Sequence, residues 1–306
     1  MTKDEIFKNC LNKKQTERTS KILESKQKTK SLYKNEEILT LVNSIGKLKL
    51  EKVKLELNNQ ATIEIEEKLK KTKIELVKIL KAYNVNIKDL MPAFSCKKCE
   101  DKGIVNDTLC SCLQEEYNQE LLLFSETDFK FIPSLNEINT AVYSNSEEIK
   151  KLIEVLQNLI KNQKFNTILF SGETGTGKTY ISKSFLKTYI LSNKLGLFIP
   201  SFNLNNELVK YHTNFDKNKN LDRYLEPDLL VVEDLGTENI YNNITKEYLL
   251  LILNQRQETN KLTLFTTNLT LNDIKNRYNE RFLSRLLDKN QSLKYNFKGK
   301  DIRVYN

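Results

Sequence analysis

Apolar positions divide this chain into two parts with different periods. Through residue 83 they recur every three to four residues. Ile38, Leu41, Val42, Ile45 and Leu48 mark one helix, Ile65, Leu69, Leu76, Leu80 and Tyr83 a second, and Asn58-Asn59-Gln60 the turn between them. These narrow stripes predict an antiparallel hairpin, a short coiled coil whose role is structural or partner-binding. Ahead of it, residues 3–34 are weakly apolar and basic, and read as an exposed helix or as a DNA-tracking arm. Helical stretches are also predicted over 113–124 and 147–163, the second with Ile149, Leu152, Ile153, Leu156, Leu159 and Ile160 in period; the Pro133-containing segment between them reads as a connector. From residue 167 short apolar runs alternate with helical ones. Strands are expected at 167–170, 195–199, 228–232 and 261–267. Helices are expected at 180–186, at 244–260 and at 204–225 around a polar interruption at 213–220. Strand–helix alternation predicts an α/β domain with a buried parallel sheet.

The chemistry collects at the ends of those strands. Gly172-Glu173-Thr174-Gly175-Thr176-Gly177-Lys178-Thr179 fills every fixed position of the P-loop pattern, between the first strand and its helix. In that setting the glycines let backbone N–H groups turn inward onto phosphate oxygens, and the helix N-terminus adds positive potential. Lys178 then reaches the β- and γ-phosphates, and the Thr179 hydroxyl serves Mg²⁺. Leu229-Leu230-Val231-Val232-Glu233-Asp234 is a buried strand delivering two acids at its C-terminal end, the Walker B arrangement. Glu233 is expected to hold Mg²⁺ and Asp234 to orient the attacking water. Asn268, at the end of the 261–267 strand, is placed to meet the γ-phosphate or that water. Arg277, Arg281 and Arg285 are spaced four apart, as on one face of a helix, and such a stripe either is ordinary surface or reaches a neighbouring subunit's nucleotide.

Cys96-Lys97-Lys98-Cys99, ten residues, then Cys110-Ser111-Cys112 supply four thiolates in two close pairs. That set suits a tetrahedral, structural Zn²⁺ site, since four sulfurs leave no position open for substrate. A redox dithiol needs only one such pair. Cys10 stands apart as a free thiol, and the single histidine, His212, is not needed as a ligand.

Composition narrows the classes. Glycine (8) and proline (4) are sparse and 39% of residues are hydrophobic, as in a folded, helix-rich chain. No apolar run approaches a membrane span, and the first residues lack a signal peptide's apolar core, so a cytoplasmic protein with reduced thiols is expected. The net charge of +9 suggests nucleic acid. Only seven of the 49 cations are arginine, however, and a lysine-rich solvated surface explains the excess as well.

Taken together, Gly172–Thr179, Leu230–Gly236 with Thr237-Glu238, Leu264–Leu269 and Glu280-Arg281-Phe282-Leu283-Ser284-Arg285-Leu286 resemble the AAA+ core of the DnaC/DnaI-type replicative helicase loaders. The cysteine segment is similar to the zinc module of many Gram-positive members. The resemblance implies an α/β AAA+ P-loop ATPase with a parallel sheet flanked by helices, preceded by a helical N-terminal domain with a small zinc module. The expected divisions are 1–92 (partner-binding), 93–125 (zinc) and 126–306 (ATPase). It implies ATP, Mg²⁺ and Zn²⁺ as cofactors. Single-stranded DNA, the replicative helicase hexamer and other copies of this chain are the implied partners, with no membrane, and hydrolysis is expected to be slow and partner-stimulated. Gly172, Thr174, Gly175, Thr176, Gly177, Lys178 and Thr179 bind nucleotide on this reading. Asn268 is similar to a sensor residue, Arg285 to an arginine finger, and Arg303 to a late family arginine. The first Walker B acid is usually Asp; Glu233 departs from this by one methylene, which bears on Mg²⁺ geometry and hydrolysis rate. Two alternatives share the core: a transposition helper ATPase of the IstB type, and a nucleotide-gated adaptor with little hydrolysis.

Overall fold

In a computed structural model, residues 2–58, 60–213 and 221–302 are described. Arg303 and the larger part of the 213–220 interruption lie outside them. The chain forms two compact units, one of residues 9–114 and one of residues 1–8 with 115–306.

Within residues 9–114, α1 (Lys3–Leu32, which begins in the other unit) precedes the hairpin of α2 (Glu36–Leu57) and α3 (Ile63–Ala82). Asn35 starts α2 by accepting from the backbone N–H of Glu37 and Ile38, which satisfies two of the donors a helix start leaves open. Of the expected stripes, Ile38, Ile65, Leu69 and Leu80 are buried and Leu41, Val42, Ile45, Leu48 and Leu76 half-buried, whereas Tyr83, just past the end of α3, is exposed. At the far end of the hairpin Leu50, Val53, Leu57 and Ile63 stay exposed. The cysteine segment follows. A two-stranded ribbon of β1 (Ile104–Val105) and β2 (Thr108–Leu109) turns through Asn106 and Asp107, both at positive φ, and leads into α4 (Ser111–Phe124).

The other unit is the expected α/β domain, a parallel sheet flanked by helices. Five parallel strands lie in the order β4 (Gly196–Pro200), β5 (Leu229–Leu235), β6 (Leu262–Thr267), β3 (Thr167–Gly172), β7 (Ser292–Phe297). The three central strands are buried on both faces, which is why they read as unbroken apolar runs. α5 (Ser146–Lys161), α6 (Lys178–Leu191), α7 (Ser201–His212), α8 (Asp222–Leu225) and α9 (Thr245–Glu258) flank them. From β3 the chain jumps to the far edge, returns through β5 and β6, and then adds β7 on the other side of β3. This switch in direction opens a crevice at the C-terminal end of β3, where ligands bind in open α/β sheets.

Two features depart from the sequence pattern. The arginine stripe does not lie on one helix. α10 (Leu271–Tyr278) stops where Asn279 takes φ 93°, and α11 (Glu280–Leu286) starts anew, with the Asn279 side chain accepting from the Phe282 N–H. Arg277 therefore sits on a different helix from Arg281 and Arg285. The edge strand β7 was not legible: paired on one side only, it alternates polar and apolar residues with no continuous core run. Arg256, fully buried, donates to Thr263 Oγ1 and to the carbonyls of Tyr224, Pro227 and Leu262, tying α9 to the entry of β5 and β6.

Candidate nucleotide site and candidate metal centre

The P-loop turns from β3 into α6 at the crevice. Gly177 takes φ 94°, and a Cβ there would stand 2.6 Å from the ring and hydroxyl of Tyr143, so this turn demands glycine. Thr176 Oγ1 donates to Glu173 O at 2.8 Å and braces the loop from inside. The Lys178 ammonium donates to Gly172 O at 2.8 Å and Glu173 O at 2.7 Å, spanning the loop, and Lys178 is buried.

The cleft above the loop has a volume of about 370 Å³, within the range of small-ligand sites. Thr174, Gly175, Gly177, Lys178 and Thr179 line it from the P-loop, and Asp234 and Asn268 line it from the ends of β5 and β6. The structure thus brings together seven of the residues expected for ATP. Gly172 and Thr176 build the loop beneath them. Of the two acids, Asp234 faces the cleft. Glu233 is buried beside it at the end of β5, its backbone level with Pro200, and is not among the lining residues. Arg285 is exposed on α11 and takes no part in this cleft.

Asp234 owes its direction to an irregularity. The β5–β6 register shifts between Val232 and Leu235, and Asp234 adopts φ 52°, a left-handed conformation that Asp tolerates better than most residues. Neighbours hold it there. Thr266 Oγ1 accepts from the Asp234 N–H at 2.9 Å, and the hydroxyls of Ser201 and Thr237 lie 2.7 and 2.9 Å from its carbonyl.

Glu238 follows the Walker B strand in the stretch Leu230–Glu238, and nothing in its local pattern marks it. Glu238 is 1% exposed. One carboxylate oxygen accepts from Ser201 Oγ at 2.7 Å and from the Gly236 N–H at 2.9 Å. The other accepts from the Tyr278 hydroxyl and lies 3.7 Å from Arg277 Nε, while the Arg277 guanidinium also donates to the Glu238 carbonyl. Burial and this carboxylate push the Tyr278 phenol above its ordinary pKa. Glu238 joins the Walker B turn to α10. Ile132, Tyr180, Lys183 and Ile302 also line the cleft and carried no sequence signal.

In the other unit, Cys96, Cys99, Cys110 and Cys112 converge with all four sulfurs within 4.8 Å of one another. Cys96 and Cys110 sulfurs are 3.7 Å apart, and those of Cys99 and Cys112 3.5 Å. A tetrahedral ion with ~2.3 Å sulfur bonds requires edges of about 3.8 Å, so the set fits Zn²⁺. The Gly103 N–H donates to Cys99 Sγ at 3.3 Å. Hydrogen bonding from the Cys99 backbone holds the Cys96 thiol down to about 7, whereas burial and the neighbouring thiols push Cys112 up. A dication held by the four sulfurs would resolve that opposition by taking all of them as thiolates. The segment is anchored by Asp101, which accepts from the N–H groups of Ser95 and Cys96 and from the Lys21 ammonium of α1 at 2.7 Å. Burial alone would raise the Asp101 carboxyl, but these donors outweigh it and hold it at about 2.

A P-loop at the end of β3, with an acid and an asparagine presented at the same sheet edge by β5 and β6, defines a P-loop nucleotide-binding domain. More particularly, the chain belongs to the family of IstB-like ATP binding proteins, whose model matches residues 124–304. No curated protein matches it in sequence. Among solved structures, the DnaC helicase loader is 22% identical, with 53% of this chain and 95% of that one covered and a TM-score of 0.45. DnaI is 20% identical, covering 56% and 90%, with a TM-score of 0.45. AMPPCP-bound DnaA from Aquifex aeolicus is 17% identical, covering 56% and 51%, with a TM-score of 0.45. Among the described residues no helix is long and apolar enough to cross a membrane.

Proposed function

We propose that this protein is an ATP-dependent loader of the replicative DNA helicase, a cytoplasmic ATPase that binds Mg²⁺–ATP, single-stranded DNA and the helicase hexamer. The observation that carries this reading is the combination of an IstB-like ATP-binding core with a separate unit holding a four-cysteine cluster and an apolar-tipped helical hairpin. In this account the P-loop N–H groups and Lys178 take the phosphates. Thr179 would hold Mg²⁺; Glu233, buried behind the cleft wall, would complete its shell through water, and Asp234 and Asn268 would direct the attacking water. Zn²⁺ on the four cysteines gives the small 96–112 segment a stability its few apolar residues do not supply. Arg285, exposed and not part of its own cleft's lining, suits a role in trans, stabilising transition-state charge in a neighbouring copy. Hydrolysis is then slow until assembly and stimulated by partners.

The family match itself favours a second reading, a transposition helper ATPase, which would bind a transposase instead. One experiment separates the two. Purified protein, ATP, closed circular single-stranded DNA and the host's hexameric helicase are combined, and helicase retained on the circles is measured. Retention that requires both this protein and ATP supports the loader. Failure to bind the helicase, together with capture of a transposase from native cells, rejects it. DNA affinity should fall steeply with salt as counterions are released.

A further inference from the structure

Beyond β7 the chain turns back over the P-loop. Gly299, at φ 128°, makes the turn against Ser144, whose Oγ would stand 2.5 Å from a Cβ placed there. The returning strap is hydrogen-bonded to the loop, since the Ile302 N–H donates to Gly175 O at 2.9 Å. Ile302 also enters the wall of the cleft. Between them Asp301 places its carboxyl carbon 2.0 Å, and both oxygens 2.2 Å, from where a Cβ on Gly175 would be. The carboxylate therefore lies directly on the bare face of Gly175, and no side chain would fit between them. Gly175 stands in the middle of the phosphate-binding turn and itself lines the cleft.

We propose that Asp301 sets the affinity and lifetime of the bound nucleotide, by holding a negative charge against the part of the loop that receives the triphosphate. This rests on the reading of the cleft as an ATP site. The reason is electrostatic. The P-loop's N–H groups and the α6 N-terminus favour anions, and the strap lays a carboxylate against the Gly175 face of that same loop. Like charges a few ångströms apart in a half-exposed site repel, so an entering triphosphate either displaces the strap or sits beside Asp301 at a cost. ATP, which carries more charge than ADP, is penalised more. The strap thus favours release and leaves tight binding to states in which it has moved.

The test compares the full-length wild type with Asp301→Asn, Asp301→Ser and Lys178→Ala, using a fluorescent ATP analogue for affinity and for the dissociation rate, with thermal unfolding as a check on folding. Both Asp301 variants are expected to bind ATP on the order of tenfold more tightly, mostly through slower release, with a smaller gain for ADP and a gain that shrinks as salt rises. Equal or weaker ATP affinity in both variants, with normal binding by wild type and loss in Lys178→Ala, overturns the role of Asp301 alone. Absence of nucleotide binding by the wild type, or unchanged binding by Lys178→Ala, overturns the ATP reading and this inference with it.

Discussion

Replacing Glu238 removes a buried carboxylate that ties the Walker B turn to its neighbours. In the wild type it takes up the Ser201 hydroxyl, the Gly236 N–H and the Tyr278 hydroxyl, and it neutralises Arg277 on α10. Glu238→Ala leaves the Tyr278 hydroxyl without its acceptor in a site of 0% exposure, and removes the carboxylate that lies 3.7 Å from Arg277 Nε. Breaking a buried charged network from one side costs about 3–5 kcal/mol. Glu238→Gln keeps the shape. Its carbonyl can still serve Ser201 and Gly236, and its amide can donate to the Tyr278 oxygen, so only the charge-assisted part is lost, about 1–2 kcal/mol. Urea unfolding followed by circular dichroism should rank the proteins wild type, Gln, Ala, with the Ala midpoint lowest. The Walker B turn also presents Asp234, so in Glu238→Gln stimulated ATP turnover should fall several-fold more than ATP affinity does. An Ala variant that unfolds at the wild-type midpoint would refute the reasoning, because the network would then contribute nothing.

The other predictions concern metal and assembly. Metal analysis should find about one zinc per chain; Cys99→Ser should lose it while the ATPase unit keeps its thermal transition, and full occupancy in that variant rejects the four-cysteine site. Arg285→Ala should bind ATP normally and lose stimulated hydrolysis by up to ~10³-fold. Mixing it with Lys178→Ala should restore partial activity, since some interfaces then pair an intact loop with an intact arginine; a mixture that assembles and stays inactive shifts the role to Arg281.

What could be read in advance followed the strength of the local signal. β3, the P-loop and α6 carry glycine chemistry and an unbroken apolar run in immediate succession, and β5 repeats that run before its acids. The hairpin α2–α3 was equally plain, because Ile38, Ile65, Leu69 and Leu80 keep a helical period. Spacing alone misled at the arginines: four-residue intervals fit one helix, but the turn at Asn279 divides it. Which of Glu233 and Asp234 faces the cleft was not decidable from the strand pattern, since the register shift before Leu235 and the left-handed backbone of Asp234 override simple alternation. Glu238, Asp301 and Ile302 act through contacts with segments 39 or more residues away, to Arg277, Tyr278 and Gly175, and no local pattern reports such a contact.

The central claim is that the crevice at the end of β3 binds Mg²⁺–ATP through Lys178. Calorimetric titration of the full chain with ATP and Mg²⁺ tests it most directly, alongside Lys178→Ala and with circular dichroism to show that both are folded. The account predicts one nucleotide per wild-type chain and a loss of about 2–4 kcal/mol in the variant, as charge-assisted phosphate contacts disappear. Equal ATP affinity in the two folded proteins would contradict it.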